Sequence, residues 1–147
     1  MVVIERVSRL PPEAAEVLMP EADRAGLGFV RRLVGEWASG QNRFDKPGEA
    51  CFVAWSDGRL VGICGLNVDP YAAAPSVGRV RHLYVLAAHR RGGVGGRLVS
   101  EVIAAARGTF DTLRLRTENS NAARLYEQMG FRRCGGVADC THIMELS

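Results

Sequence analysis

The stretch HRRGGVGGRLV, residues 89–99, sets Gly92, Gly93, Gly95 and Gly96 among Arg90, Arg91 and Arg97, then enters an apolar run. A glycine-rich turn lets a ligand approach the main chain closely, because no Cβ intrudes. If the turn opens a helix, its exposed N–H groups sit at the positive end of the macrodipole and favour an anion. The arginines add charge-assisted hydrogen bonds to phosphate oxygens. The composition fits a phosphate cradle, with a flexible turn and solvated arginines as the alternative. The dinucleotide fingerprint GxGxxG fails: with Gly93 and Gly95 in its first two places, the third falls on Leu98. The phosphate loop GxxxxGK followed by Ser or Thr fails too, since no Lys-Ser or Lys-Thr is present here.

Other side chains carry usable chemistry. Tyr126 is a phenol with an ordinary pKa of about 10, protonated at neutral pH and able to donate as negative charge develops nearby. Its spacing from Ala122, Leu125 and Met129 also fits the apolar stripe of a helix, where it would be a core aromatic. His82 has an ordinary pKa of about 6.5, which suits a proton acceptor; a hydrogen-bonded structural histidine is the other reading. Asn119 stands where a helix would begin and suits an N-cap.

The elements that must position these groups follow from periodicity and turn chemistry. MVVIERV reads as a first strand, and helices are expected near residues 12–25 and 28–39, with Pro11 and Pro12 at the start and Gly40 at the end. QNRFDKPGE reads as a polar connector, or as a loop that shapes a pocket. ACFVAWSDGRLVGICGLNV reads as two strands joined at Asp57-Gly58, a strong hairpin signal. GRVRHLYVL is a strand leading into the glycines. Residues 94–107 form a helix with Leu98, Val99, Val102, Ile103 and Ala106 on one stripe. FDTLRLRT is a strand, residues 120–129 a helix, and FRRCGGVADCTHIMEL two closing strands. The order β-α-α-β-β-β-α-β-α-β-β indicates a single α/β domain over residues 1–147 with a mixed sheet.

Composition sets outer bounds. The chain has 147 residues, 47% apolar and 24% charged, with a formal net charge of +3. That length suits one domain burying about 70% of its unfolded surface. The charge tolerates an anionic partner but does not mark a nucleic-acid binder. No apolar run approaches the roughly 18 residues of a membrane span, and Glu5, Arg6 and Arg9 interrupt the N-terminus where a signal peptide needs an apolar core. Cys51, Cys64, Cys134 and Cys140 lack CxxC spacing, so reduced thiols, no metal site and a cytoplasmic location are expected.

One spacing sharpens the cradle. Arg90, Gly93 and Gly95 read Arg-x-x-Gly-x-Gly, and NSNAARLYEQMGF supplies Asn119, Ala122, Tyr126, Gly130 and Phe131 further on. The two motifs, in this order, resemble the acyl-CoA-dependent N-acyltransferases of the GNAT superfamily over roughly residues 78–133. The resemblance implies a mostly antiparallel mixed sheet of about six or seven strands, splayed between strands 4 and 5 and flanked by about four helices. It implies acetyl-CoA as cosubstrate, with the N–H groups of Arg91, Gly92, Gly93, Val94, Gly95 and Gly96 around its pyrophosphate and Arg90 and Arg91 nearby. Leu83, Tyr84 and Val85 would offer a strand edge to the pantetheine arm. Asn119 and Ala122 would meet the same arm, and Tyr126 would protonate the departing thiolate. Arg97 would reach a phosphate or pair with Glu101.

The resemblance leaves the base open. Many members carry a Glu on the strand before the glycines, whereas GRVRHLYV has no carboxylate. His82 is the leading candidate, with Glu118, Asp69 or a water chain as alternatives. An N-acetyltransferase acting on a primary amine is expected by direct attack in a ternary complex, with a catalytically weak acyl-CoA-binding or sensing module as the alternative. The acceptor would lie against residues 20–48 and 69–76, with Tyr71 as a gate. Dimerisation is common in the family; the closing strands with Cys134, Cys140 and His142 would either lie at such an interface or simply finish the sheet.

Overall fold

Near-continuous apolar runs, ACFVA and LVGICGL, buried on both faces, build the centre of the computed structural model, which describes residues 1–146. Strand β1 (Val2–Arg6) pairs antiparallel with β2 (Ala50–Ser56), and β2 with β3 (Arg59–Val68). Asp57 and Gly58 both adopt positive φ, 49° and 80°, in the turn that joins β2 to β3. β3 pairs antiparallel with β4 (Val77–Val85). β4 lies parallel to β5 (Thr112–Leu115), and β7 (His142–Glu145) runs antiparallel between β5 and β6 (Arg132–Arg133). The sheet order is β1-β2-β3-β4-β5-β7-β6. This is the mixed, mostly antiparallel α/β sheet that the sequence implies.

Helices cover both faces of the central strands. On α3 (Val94–Ala106), the expected stripe of Leu98, Val99, Val102, Ile103 and Ala106 is buried. A Cβ on Gly62 would meet Leu98 Cδ1 at 3.0 Å, so this glycine sets how closely α3 lies on β3. Gly65, of opposite parity along the strand, faces the other layer. There Phe44 lies against it so closely that a Cβ would come within 2.3 Å of the ring.

The first helical region departs from a continuous α-helix over 12–25. Residues Ala14–Leu18 form a π-helical segment that passes into α1 (Met19–Arg24). Pro20 explains the wider turn. It has no N–H for the carbonyl of Glu16, and its ring crowds that carbonyl. The Met19 N–H bonds five residues back, to Ala14. Helix α2 (Phe29–Ser39) ends as expected at Gly40, with φ 84°. Helix α4 (Ser120–Gln128) starts at Asn119.

Two irregularities in β4 position the site. Its pairing with β5 covers only Val77, Gly78 and Arg79, so residues 80–85 have no strand on that side. The sheet splays between strands 4 and 5. Opposite, the β3–β4 register shifts between Ile63 and Gly65, which pair with Tyr84 and Arg81. β4 therefore carries one extra residue, a bulge in which His82 adopts φ 61°.

Candidate active site

The splay opens a cleft of about 530 Å³ between β4, the head of α3 and α4. Of the expected site residues, His82, Leu83, Tyr84, Val85, Arg90, Gly93, Gly95, Gly96, Asn119, Ala122 and Tyr126 line it. Arg91, Gly92 and Val94 do not: the first two are exposed beside it and Val94 is turned into the core. Leu27, Phe29, Arg116, Thr117, Asn121 and Leu125 join the lining without any local signal in sequence.

A left-handed residue is the pivot of the cradle. Gly93, φ 79°, caps α3, and no side chain bonds the helix's first N–H groups. The first intrahelical bond runs from Arg97 to the Gly93 carbonyl. The N–H groups of Gly93, Val94, Gly95 and Gly96 have no acceptor among the described residues. These orphan donors at a helix N-terminus fit an anion such as a pyrophosphate. A Cβ on Gly93 would meet nothing within 4 Å, so what excludes a side chain there is backbone conformation. A Cβ on Gly95 would touch Leu125 Cδ2 at 3.2 Å, so that glycine lets α3 and α4 approach each other.

The arginines divide their work. Arg90 donates from Nε to the Val85 carbonyl at 2.9 Å, and its guanidinium lies 5.4 Å from the Tyr84 ring centroid. Arg90 Nη2 stands 3.9 Å from Glu21 Oε2. Glu21 also accepts from the Tyr84 hydroxyl and from the Ala87 N–H at 3.1 Å. Burial works against the Glu21 charge, but these donors and Arg90 hold its carboxyl below the usual range. Glu21 thus ties α1 to the strand and turn that carry the cradle. Sequence spacing could not reveal a partner 63 residues from Tyr84. Arg97 neither reaches the cleft nor pairs with Glu101; it donates to the Val2 carbonyl at 2.8 Å.

The remaining groups set the chemistry. Asn119 is the N-cap of α4, its Oδ1 accepting from Asn121 N–H at 2.9 Å and Ala122 N–H at 3.0 Å. Tyr126, 5% exposed, packs edge-on to Phe131 at 5.6 Å. Its hydroxyl makes no hydrogen bond among the described residues, and burial, with Cys64 nearby, raises its pKa above the ordinary value. His82 is stacked on Phe29 at 6.1 Å and lies edge-on to Phe44 at 6.3 Å, with a buried Nε2 that has no partner among the described residues. Burial, followed by Arg81 and Arg32, pushes its pKa down to about 3. Glu118, its side chain 82% exposed, pairs with Arg116 at 3.0 Å, and buried Asp69 pairs with Arg79 at 3.5 Å. Neither carboxylate lines the cleft.

The QNRFDKPG loop is mostly exposed but anchored by buried Phe44 and by Asn42. Asn42 exchanges 3.0 Å side-chain hydrogen bonds with Asn67, and Asn67 also donates to buried Glu49. Tyr71 lies over the Arg79 guanidinium, 4.7 Å from ring centroid to carbon. All four cysteines are free; Cys51 and Cys64 lie in strands, Cys134 and Cys140 in the segment between β6 and β7. Among the described residues, no helix is long and apolar enough to cross a membrane.

Comparison with known proteins agrees with this geometry. Residues 47–133, more than half of the chain, match the family model described as acetyltransferase (GNAT) domain. The N-alpha-acetyltransferase RimI of Mycobacterium tuberculosis is 37% identical over 82 residues, covering 56% of this chain and 51% of that protein. The chain thus matches about half the length of that curated relative. Among solved structures, an acetyltransferase candidate from Exiguobacterium sp. 255-15 superposes with a TM-score of 0.86 and 29% identity, over 99% of this chain and 93% of that one. The Salmonella typhimurium protein yncA, solved with its cofactor acetyl-CoA, shares the fold at a TM-score of 0.73 and 16% identity, over 99% and 94%. With the family model, the splayed sheet and the helix-capping glycine cradle in agreement, the chain belongs to the GNAT acetyltransferase family.

Proposed function

We propose that this protein transfers an acetyl group from acetyl-CoA to a primary amine by direct attack. The observation that carries the reading is the row of orphan N–H groups from Gly93 to Gly96, set beside the unpaired edge of β4. The cradle binds the pyrophosphate, and residues 80–85 offer backbone groups to the pantetheine amides as a strand edge does to a peptide. Asn119 spends its oxygen on the helix cap, which leaves its amide N–H groups for the same arm. The amine nitrogen attacks the thioester carbonyl, the C–N bond forms and the C–S bond breaks. The departing thiolate, whose conjugate acid has a pKa of about 8.5, takes a proton. Tyr126 is protonated throughout the neutral range and donates to the sulfur as charge develops.

His82 is a weak candidate for the base. Moving a proton from an ammonium of pKa about 10.4 to a site near 3 is uphill by on the order of 10 kcal/mol. The amine therefore enters neutral or sheds its proton to water, and His82 shapes the wall at the bulge. The name of the Mycobacterium tuberculosis relative supports an amine nitrogen as acceptor.

The lack of any Asp or Glu in the cleft lining favours a second reading, an acyl-CoA-binding module without turnover. An acceptor screen with a free-thiol readout separates the two. CoA release above background hydrolysis with some amine, lost in Tyr126→Ala, is expected. Tight acetyl-CoA binding with no turnover across a broad amine screen would overturn the enzyme reading.

A further inference from the structure

Among the described residues, the cleft lining contains Arg79, Arg81, Arg90 and Arg116 and no carboxylate. Their partners differ. Arg79 is paired with buried Asp69, Arg90 approaches Glu21, and Arg116 is paired with Glu118 and Asp139. The Arg81 side chain makes no ion pair and no hydrogen bond among the described residues. It is half-buried and stands in the wall shared by the main cleft and a second cavity of about 370 Å³. Arg32 of α2 lines that second cavity and likewise has no ion pair among the described residues. Glu36, Asp45 and Glu49 also line that second cavity without pairing with Arg81 or Arg32, whereas the charged residues that line the main cleft are all arginines. Arg79 and Arg114 oppose each other in the β4–β5 register, a like-charge arrangement that destabilises a sheet, and Arg114 Nε is buried without a partner.

A half-buried guanidinium with no carboxylate in contact carries an electrostatic cost, relieved by a ligand oxyanion that accepts its paired donors. The same field repels an ammonium ion and so favours the neutral form of an incoming amine, in a cleft without a carboxylate to take its proton. We propose that the acceptor is an amine bearing a second, anionic group, a carboxylate or a phosphate, and that Arg81, with Arg32 on the same cavity, binds that group. This rests on the acetyltransfer reading above and names the acceptor's chemical class.

Matched pairs test it: β-alanine against β-alaninamide, and O-phosphoethanolamine against ethanolamine, each at saturating acetyl-CoA. The acid of at least one pair should be favoured in kcat/KM by about ten- to a hundredfold, the scale of a hydrogen bond to a charged group. A preference in only one pair says whether carboxylate or phosphate is read. Arg81→Gln should collapse that ratio through the KM of the acid, Arg81→Lys should restore part of it, and Arg81→Glu should reverse it. Transfer that proceeds equally well to both members of each pair overturns this inference and leaves the acetyltransfer reading standing. If no amine turns over, calorimetry on the CoA-loaded protein decides. Tighter binding of an acid than of its neutral mate, lost in Arg81→Gln, supports the anion site, and no preference overturns it. Failure to bind acetyl-CoA at all overturns the acetyltransfer reading instead.

Discussion

At the scale of single residues, environment rather than identity decides what the titratable groups can do. Tyr126 and His82 are both attractive on paper, and burial moves them in opposite directions. The Tyr126 phenol is pushed up, so it stays protonated beyond pH 10 and no decline in kcat through that range should come from its ionisation. Tyr126→Phe should lower kcat by about a hundredfold, the lower end of a general-acid contribution. Urea unfolding should show stability within about 0.5 kcal/mol of the parent, because the hydroxyl has no protein partner to orphan. His82 is pushed down to about 3, so kcat/KM should show no ionisation near 6.5 that His82 controls. The sign for stability follows from linkage. Below about 6.5 the unfolded chain takes a proton that the folded one refuses until about 3, so stability falls with pH across that window. Between pH 7.5 and 5 the loss is about 2 kcal/mol. His82→Asn, which tolerates positive φ, should flatten that slope in urea titrations at the two pH values.

Among the elements, glycines and one proline decide how closely neighbours approach. Gly65 lies under the Phe44 ring, and Gly65→Ala should destabilise by about 1–3 kcal/mol in urea unfolding, as overpacking does. Gly93 acts through its backbone instead. Gly93→Ala has room for its methyl but holds an αL conformation that costs about 1–2 kcal/mol, so the head of α3 should rearrange. Acetyl-CoA affinity, measured by calorimetry, should fall about tenfold or more, while an unchanged affinity in a folded variant would remove the cradle from the binding site. The periodicity of α3 and the Asp57-Gly58 hairpin were legible because they are local. The π-helical segment was less so, although Pro20, which forces it, is visible in the chain. The bulge at His82 was not legible. It comes from β3 pairing out of step with β4, and no residue in GRVRHLYV announces it.

On the scale of the whole molecule, long-range ties decide which candidate residues meet. Glu21 joins α1 to Tyr84, Ala87 and Arg90, so the turn that carries the cradle is held from the opposite end of the chain. Glu21→Ala should cost about 1–3 kcal/mol and speed amide exchange at Ala87, whose N–H loses its acceptor. The spacing Arg90, Gly93, Gly95 and the run from Asn119 to Phe131 pointed by themselves to the family, and periodicity and turn residues to the order of elements, because those depend on neighbours a few residues apart. Which groups face the cleft was decided only by the folded sheet. Pairing of β4 with β5 stops at Arg79, and that opens the cleft. Burial at the bulge removes the basicity of His82, and Arg97 is drawn away to Val2. Arg81 is left without an ion pair in the wall between a main cleft lined by no Asp or Glu and a second cavity lined by Glu36, Asp45 and Glu49. Desolvation and charge pairing depend on atoms brought together from distant parts of the chain, and for that physical reason they appear only once the tertiary structure exists.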